Sequence, residues 1–346
     1  GTVNASLSFD TYQRVRDAVL RMKARSAAAS GSHRPSDYWA EELENFDYMI
    51  EASPLIIRKL RQHAFHITGT RPYDYRNARD QQSHFERRLR ALIELGGREL
   101  LVPENPALGG FGFQIDGALH NVDTLKFFEV LVGMKRSGIR APFASDAGRR
   151  VVWEIGGGWG GFAYQFKTLW PSTTYVIIDF PELFLYSATY LGTVFPRARL
   201  WFWDGEDDVA ASARDADFVF VPNTAVEALR SSKADLLVNL VSFQEMTSGQ
   251  VDAYARLSAE SRCSTLYSLN RERSPYNSEI TSVSEILSRY YDLEEVAVLE
   301  TEYTRATKKD YPTHDAALKA ARKDFETQSK SITHRGKLDG EARLSR

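Results

Sequence analysis

The stretch VVWEIGGGWGGFAYQF, residues 151–166, decides the fold because it joins a buried strand, a glycine turn and the start of a helix. The strand ends in Glu154. Gly156, Gly158 and Gly161 then satisfy the pattern G-x-G-x-x-G in the required strand–turn–helix setting. Glycines suit such a turn because its backbone adopts angles that a Cβ disfavours and because a ligand must approach the main chain closely. The N–H groups at the helix start favour an anionic ligand group, so the stretch predicts a cofactor site rather than a packing turn.

Downstream of this stretch, short apolar runs alternate with helical segments. The runs are VVWEI (151–155), TYVIID (174–179), RLWFW (199–203), DFVFV (217–221), DLLVNLV (235–241) and STLYSLN (264–270). Runs of this length and composition are typical of strands covered on both faces. Their alternation with helices predicts an α/β fold with a Rossmann-like, mostly parallel sheet and helices on both faces. Residues 294–303 are expected to add a terminal strand.

The two ends of the chain differ from this central part. Upstream, apolar residues recur at helical spacing, at Phe9, Tyr12, Val15, Val19 and Met22 and again at Trp39, Leu43, Phe46 and Ile50, with breaks at 69–79 and 109–121. We therefore expect a helical N-terminal region (1–148) that covers the substrate, a cofactor-binding domain (149–303) and a basic tail (304–346). The tail is expected to form a surface helix at 316–325 and to be poorly ordered over its last twenty residues.

Composition excludes several classes of protein. The 346 residues include 44 Lys and Arg against 46 Asp and Glu, so the chain lacks the global basic field of nucleic-acid-binding proteins. A single cysteine, Cys263, excludes an internal disulfide framework and a thiolate zinc site. The apolar runs are far shorter than the ~20 residues that span a bilayer, and the first residues resemble no secretory signal. We expect a cytoplasmic protein without a membrane or nucleic-acid partner and without a divalent metal, and the oligomeric state stays open.

Two cofactor classes fit the glycine turn. Asp179 ends the second strand, 25 residues after Glu154, where it is placed to accept hydrogen bonds from ribose hydroxyls. A dinucleotide-binding fold usually begins with this motif, whereas 150 residues precede it here. The spacing Glu154-x-Gly156-x-Gly158-x-Gly160 resembles motif I of class I S-adenosylmethionine-dependent methyltransferases. The resemblance implies that the turn wraps the methionine moiety, that Glu154 contacts it, and that Asp179 holds the ribose.

Three segments together are similar to the putative sugar O-methyltransferase family. They are 154–191, with its GGG turn and I-D-x-P-E segment, 217–223 (DFVFVPN), and 235–246 (DLLVNLVSFQEM). The resemblance covers roughly residues 150–300 and implies methyl transfer from S-adenosylmethionine to a hydroxyl of a sugar, glycoside or similar small molecule. The candidate cofactor-binding residues are Glu154, Gly156, Gly157, Gly158, Gly160, Asp179, Phe180, Asp204, Asn223 and Asn239. Either Asp204 or Asn223 is expected to contact the adenine. The choice stays open because one of the two runs before them, 199–203 or 217–221, is an extra strand relative to a minimal methyltransferase sheet.

Glu245 and His120 are the candidate bases. Glu245 follows a buried strand at the carboxyl edge where α/β sheets bind ligands, and a base helps a weakly nucleophilic hydroxyl to lose its proton. A purely structural role for Glu245, as an acid at a helix start, stays open. His120 lies in a glycine-rich segment that is either a substrate lid or a surface loop before a helix. The candidate substrate-binding residues are Asp116, Asn121, Ser242, Gln244 and Asn270.

Two rival functions remain at this stage. An NAD-dependent oxidoreductase or epimerase on the same sheet predicts a Tyr-x-x-x-Lys pair, whereas Tyr164 is followed by Thr168. A cofactor-binding protein without turnover, acting as a structural or interaction partner, shares the cofactor motif with the enzyme. Cofactor affinity without methylation of any acceptor would favour this second rival.

Overall fold

A computed structural model describes residues 2–26, 35–76, 79–139, 143, 148–206, 208–272, 277–298 and 332–338. The helices are α1 (Thr2–Ser26), α2 (Asp37–Glu44), α3 (Pro54–Ile57), α4 (Leu60–His63), α5 (Phe65–Thr68), α6 (Arg79–Gly96), α7 (Val122–Arg136), α8 (Gly161–Leu169), α9 (Phe184–Val194), α10 (Val209–Ser212), α11 (Ser248–Glu260) and α12 (Val283–Leu287). The strands are β1 (Phe113–Ile115), β2 (Ala118–His120), β3 (Arg150–Ile155), β4 (Thr173–Asp179), β5 (Leu200–Phe202), β6 (Phe218–Pro222), β7 (Leu236–Leu240), β8 (Thr265–Asn270), β9 (Tyr291–Glu295) and β10 (Ile332–Leu338).

Within the described residues, eight strands form one sheet in the order β5-β6-β4-β3-β7-β8-β10-β9. All neighbours from β5 to β8 are parallel, and β10 runs antiparallel to both β8 and β9. Successive residues of β3 enter different cores, since Val152 packs with the N-terminal helices and Trp153 packs with α11 and α12 on the other face. This alternation follows from the two-residue period of a strand. The predicted α/β fold, with a Rossmann-like, mostly parallel sheet and helices on both faces, is confirmed.

The C-terminal edge of the sheet corrects two expectations. The strand expected at 294–303 lies earlier, at Tyr291–Glu295, while residues 299–303 and the helix expected at 316–325 lie outside the described residues. Residues 332–338 are not disordered, because they form β10 between β8 and β9. Composition could not show this strand, since its pairing depends on backbone hydrogen bonds rather than on apolar side chains. The sheet therefore extends beyond the boundary predicted at residue 303.

The N-terminal region is largely helical, as predicted, but it also contains a hairpin. Strands β1 and β2 pair antiparallel where a break without regular structure was expected. Asp116 and Gly117 occupy the turn with φ angles of +51° and +79°, and Asp-Gly is a preferred pair for such two-residue turns. His120 thus ends a strand rather than lying in a loop. Among the described residues, no helix has the length and hydropathy that crossing a membrane requires.

Candidate active site

The carboxyl ends of β3, β4, β6 and β7 open into a cavity of about 550 Å³. Ligand cavities in proteins commonly measure ~300–1,000 Å³. Several predicted cofactor and substrate residues line it: Glu154, Gly156, Gly157, Gly158, Asp179, Phe180, Asn223, Ser242 and Glu245. The N-terminal region closes the opposite side with Trp39, Glu42, Phe65, His66, Lys126 and Phe127. The sheet edge and the helical region therefore form one site together.

The glycine turn between β3 and α8 needs its glycines for two reasons. Gly156, Gly158 and Gly160 have φ angles of +74°, +55° and +84°, in the left-handed region that other residues rarely adopt. A Cβ on Gly156 would lie 2.1 Å from Oγ of Ser242, so a side chain there has no room. Gly160 is the N-cap of α8 and lies behind the cavity wall. At Gly156, Gly157 and Gly158 the turn thus presents main chain to the cavity, beside Trp159.

Asp179 ties this turn to the end of β4. The N–H of Gly158 donates to its Oδ2 at 2.9 Å, and the N–H of Phe180 donates to its Oδ1 at 2.8 Å. An ionised carboxylate accepts about four hydrogen bonds, so each oxygen keeps acceptor capacity for a ligand hydroxyl. Burial raises the pKa of Asp179 to about 7, against the opposing effect of these two bonds.

Glu154 lies beside Asp179 at the end of β3 and is almost fully buried. The hydroxyl of Tyr175 donates to Glu154 Oε2 at 3.0 Å. Burial raises the pKa of Glu154 to about 8; Asp179 adds to the rise, while Tyr175 and Lys126 oppose it. Two neighbouring carboxyls are therefore easily protonated near neutral pH, and a cationic ligand would favour their ionised forms.

Glu245 lies in the helical turn Phe243–Glu245 that follows β7. Burial raises its pKa to about 7, and this rise is opposed by a hydrogen bond from Trp39 and by the charges of Arg271 and Lys126. A carboxyl with such a pKa, at the wall of a ligand cavity, is suited to accept a proton at neutral pH. Of the two candidate bases, Glu245 is the one that the fold brings to the cavity.

Lys126 and Trp39 are cavity residues that the sequence analysis missed. Lys126 lies on α7, is only 7% exposed, and has its ammonium 3.9 Å from Oδ1 of Asp123. Burial lowers the pKa of Lys126, while Asp123, Glu245 and Glu154 oppose this shift. A signal was present, because Lys126 stands among the apolar residues Leu125, Phe127 and Phe128, and a lysine that is buried there requires compensating groups. Trp39 carried no comparable signal.

Three predicted ligand residues instead hold the turn that carries Glu245. Asn239 donates to the carbonyl of Ile155 at 2.8 Å and accepts from the N–H of Phe243 at 2.9 Å. Asn270 donates to Oδ1 of Asn239 at 2.9 Å, and Gln244 accepts from the N–H of Arg271 at 2.8 Å. Neither Asn239, Gln244 nor Asn270 lines the cavity. Their amides fix the backbone that positions the candidate base.

Four other predicted residues lie away from the cavity. Asp116 is at the hairpin turn, paired with Arg90 at 2.8 Å, and His120 is buried at the end of β2. Asn121 caps α7 and donates to Glu104. Asp204 pairs with Arg25 at 3.1 Å on the surface. Asn223 follows β6 and lines the cavity, whereas β5, the strand before Asp204, lies at the edge of the sheet.

The site holds no recognisable metal centre in the part of the chain that the structure describes. Within those ranges, no group of three His, Cys, Asp or Glu side chains is arranged to bind a metal ion.

Comparison with known proteins finds distant structural likenesses. No protein-family model matches the chain, and no curated protein matches it. An O-methyltransferase family protein from Burkholderia thailandensis matches 64% of this chain with 12% identity and a TM-score of 0.32. This chain spans 60% of that protein's length. The magnesium protoporphyrin IX methyltransferase of Synechocystis PCC 6803, solved with bound SAM, matches 65% of this chain and 87% of its own, with 12% identity and a TM-score of 0.34.

A third structure matches nearly the whole chain. The CurJ carbon methyltransferase covers 98% of this chain and 94% of its own, with 10% identity and a TM-score of 0.37. Likenesses of this size do not identify an activity, a substrate or a reacting atom.

Proposed function

We propose that the chain is an S-adenosylmethionine-dependent methyltransferase that methylates a hydroxyl of a small molecule, with a sugar or glycoside as the acceptor class. One observation carries the proposal: a single cavity joins the glycine turn, Asp179 and Glu245 at the carboxyl edge of the sheet. This edge is where open α/β sheets bind their ligands. The motif I spacing of the turn and the similarity of three segments to sugar O-methyltransferases support the choice of cofactor and acceptor.

The residues of the cavity fit S-adenosylmethionine. The main chain at 156–158 would receive the methionine moiety, Asp179 would accept hydrogen bonds from the ribose hydroxyls, and Asn223 would meet the adenine. Glu154, Asp179 and Glu245 are carboxyls whose burial disfavours charge. A ligand with a positive sulfur offsets that cost, since opposite charges attract more strongly where water is excluded.

In the proposed reaction, the cofactor and the protein side chains have separate roles. S-adenosylmethionine supplies an electrophilic methyl group on a positively charged sulfur. Glu245 would accept the proton of the acceptor hydroxyl as the new C–O bond forms, which is general base catalysis. The N-terminal region would hold the acceptor in line with the methyl group, and alignment of this kind supplies much of the rate in displacement reactions. Its aromatic side chains, Trp39, Phe65 and Phe127, also keep water out of the cavity.

Titration calorimetry tests the cofactor. S-adenosylhomocysteine is expected to bind to the wild-type chain, and NAD is expected to give no heat. Asp179→Asn should bind S-adenosylhomocysteine at least about tenfold more weakly, because it removes a charged acceptor worth ~1.5–3 kcal/mol per hydrogen bond. Asp116→Asn is the matched control, since that aspartate lies at the hairpin turn. No heat with millimolar S-adenosylhomocysteine, together with binding of NAD, would reject the methyltransferase and favour the oxidoreductase.

Candidate acceptors are then offered with labelled S-adenosylmethionine. Methylation of a sugar or glycoside hydroxyl is the expected result. Methyl transfer to an amine or a carbon acceptor, with none to hydroxyl compounds, would contradict the assignment of the acceptor. Cofactor binding without methylation of any acceptor would favour the protein without turnover.

A further inference from the structure

The start of α2 is joined to the turn that carries Glu245 by a single hydroxyl. Oγ of Ser36 donates to the backbone carbonyl of Glu245 at 2.9 Å. The same oxygen accepts from the N–H of Trp39 at 3.5 Å, which caps α2. Residues 209 positions apart in the chain therefore share one hydrogen-bonded junction. Ser36, Trp39 and Glu245 all line the cavity, so this junction lies at its wall.

Trp39 makes two contacts inside the cavity. Trp39 and Glu245 both line the cavity, and a hydrogen bond from the Trp39 side chain opposes the rise in the pKa of Glu245. The Trp39 ring lies 5.8 Å from the ring of Phe180, the residue that follows Asp179 at the end of β4. One side chain of the helical region thus contacts both the candidate base and the residue next to the proposed ribose site.

We propose that Trp39 is a positioning residue for Glu245. Its indole N–H donates a hydrogen bond that orients the Glu245 carboxylate toward the cavity, and the packing of its ring against Phe180 holds the indole in place. The proposal rests on the proposed function where it concerns turnover, but the hydrogen bond itself does not. Trp39 touches no reacting atom in this role. It acts only through Glu245, and it makes the helical region part of the catalytic geometry as well as a cover.

Three charged groups from different elements also act electrostatically on Glu245. They are Lys126 on α7, Arg271 after β8 and Glu42 on α2. Trp39→Phe leaves all three in place and keeps a ring against Phe180, so it removes only the donor. A hydrogen bond to the ionised form lowers the pKa of an acid, so its loss should raise the pKa of Glu245. We expect the acidic limb of kcat/KM to move up by about one pH unit.

The kinetic test compares the wild type with Trp39→Phe across pH. The variant is expected to lose several-fold in kcat at neutral pH, while KM for S-adenosylmethionine changes by less than about twofold. A residue that merely covers the cavity would instead raise KM and leave the pH profile unmoved. Equal pH profiles of the two proteins would overturn the proposal.

A second readout is independent of catalysis. In the wild type, ionisation of Glu245 beside the indole should change the tryptophan fluorescence with a midpoint near its pKa of about 7. Both Trp39→Phe and Glu245→Gln should reduce the amplitude of this transition to the part that Asp179 and Glu154 contribute, since their pKa values of about 7 and about 8 lie in the same range. Trp203→Phe should keep the wild-type amplitude, because the Trp203 indole N–H donates to the carbonyl of Glu206 instead. A transition of wild-type amplitude in Trp39→Phe would overturn the proposal even if the variant is active.

The two readouts also separate this proposal from the proposed function. If S-adenosylhomocysteine fails to bind while the fluorescence transition depends on both Trp39 and Glu245, the methyltransferase is rejected and the hydrogen bond stands. If methyl transfer is found and the fluorescence transition is the same with and without Trp39, the methyltransferase stands and the positioning role of Trp39 is rejected. Ser36→Ala provides a milder perturbation, which should reduce the transition without removing the indole.

Discussion

Glu245 is the residue whose chemical role is most sharply testable. Glu245→Gln preserves the size of the side chain and an oxygen that accepts from Trp39, but it removes the ability to take up a proton. We expect turnover to fall by about 10²-fold or more, the typical contribution of a general base. Affinity for S-adenosylhomocysteine should change little, which serves as the control for folding. Turnover within about threefold of wild type, under ~0.7 kcal/mol, would refute the base assignment.

Three carboxyls also make cofactor binding dependent on pH. Burial raises the pKa values of Asp179 and Glu245 to about 7 and that of Glu154 to about 8. Below these values the groups are neutral and cannot attract a cation. Binding of S-adenosylmethionine should therefore strengthen as pH rises from about 6 to about 8, with release of protons.

Calorimetry of the cofactor and its product in the same buffers measures this effect. S-adenosylhomocysteine lacks the positive sulfur, so its affinity should rise less over the same range. Glu154→Gln should flatten the slope for S-adenosylmethionine. Parallel slopes for the two ligands would contradict the electrostatic explanation.

At the level of elements, Arg61 joins α4, α7 and the glycine turn. Its fully buried guanidinium donates to Glu104 at 2.8 Å and to Asp123 at 2.6 Å, and it lies 3.8 Å from the centre of the Trp159 ring. Arg61→Leu would remove the buried cation that pairs with Glu104 and would leave Asp123 only the more distant ammonium of Lys126, at 3.9 Å. We expect the free energy of unfolding to fall by about 3–5 kcal/mol.

Denaturation in urea measures this loss. Arg90→Leu is the matched control, because Arg90 also pairs with two carboxylates, Glu86 and Asp116, but at the surface. Solvent screens those pairs, so the control should be affected far less. Similar losses in the two variants would show that burial does not determine the contribution of Arg61.

The sequence predicted the elements whose signals are local. The six runs between 151 and 270 became the six parallel strands, because a strand buried on both faces must be apolar throughout. The Asp116–Gly117 pair is also a local signal, since Asp-Gly favours the turn of a two-residue hairpin. Strand β10 and the contact between Trp39 and Glu245 could not be predicted, since each joins segments far apart in the chain through backbone or single polar groups.

The candidate site shows the same division. The turn glycines, Asp179 and Glu245 follow strand ends, and a parallel sheet brings such ends to one edge. Asn239 and Asn270 also lie at the carboxyl ends of strands, but their amides hydrogen-bond within the protein instead of lining the cavity. Position at the sheet edge does not determine where an amide points. Lys126 comes from the helical region, whose packing against the sheet no local pattern encodes.

At the scale of the whole molecule, the sheet is completed from the far end of the chain. Strand β10 pairs with β8 from Ile332 opposite Asn270 to Lys337 opposite Thr265, and with β9 on its other side. A chain that ends at residue 331 would expose the edge of β8 and leave β9 without a strand to pair with. We expect its free energy of unfolding to fall by about 3 kcal/mol or more, from the loss of several backbone hydrogen bonds, and the exposed edge to promote aggregation.

A chain that ends at residue 338 keeps β10 and is the matched control for this truncation. Thermal unfolding and light scattering compare the two. The shortened chain should also bind S-adenosylhomocysteine more weakly, because Asn270, which loses its partner Ile332, holds Asn239 and through it the turn of Glu245. Equal midpoints and equal affinities for the two chains would show that β10 is dispensable. A lower midpoint with unchanged affinity would show instead that the amide network holds the turn without help from the sheet edge.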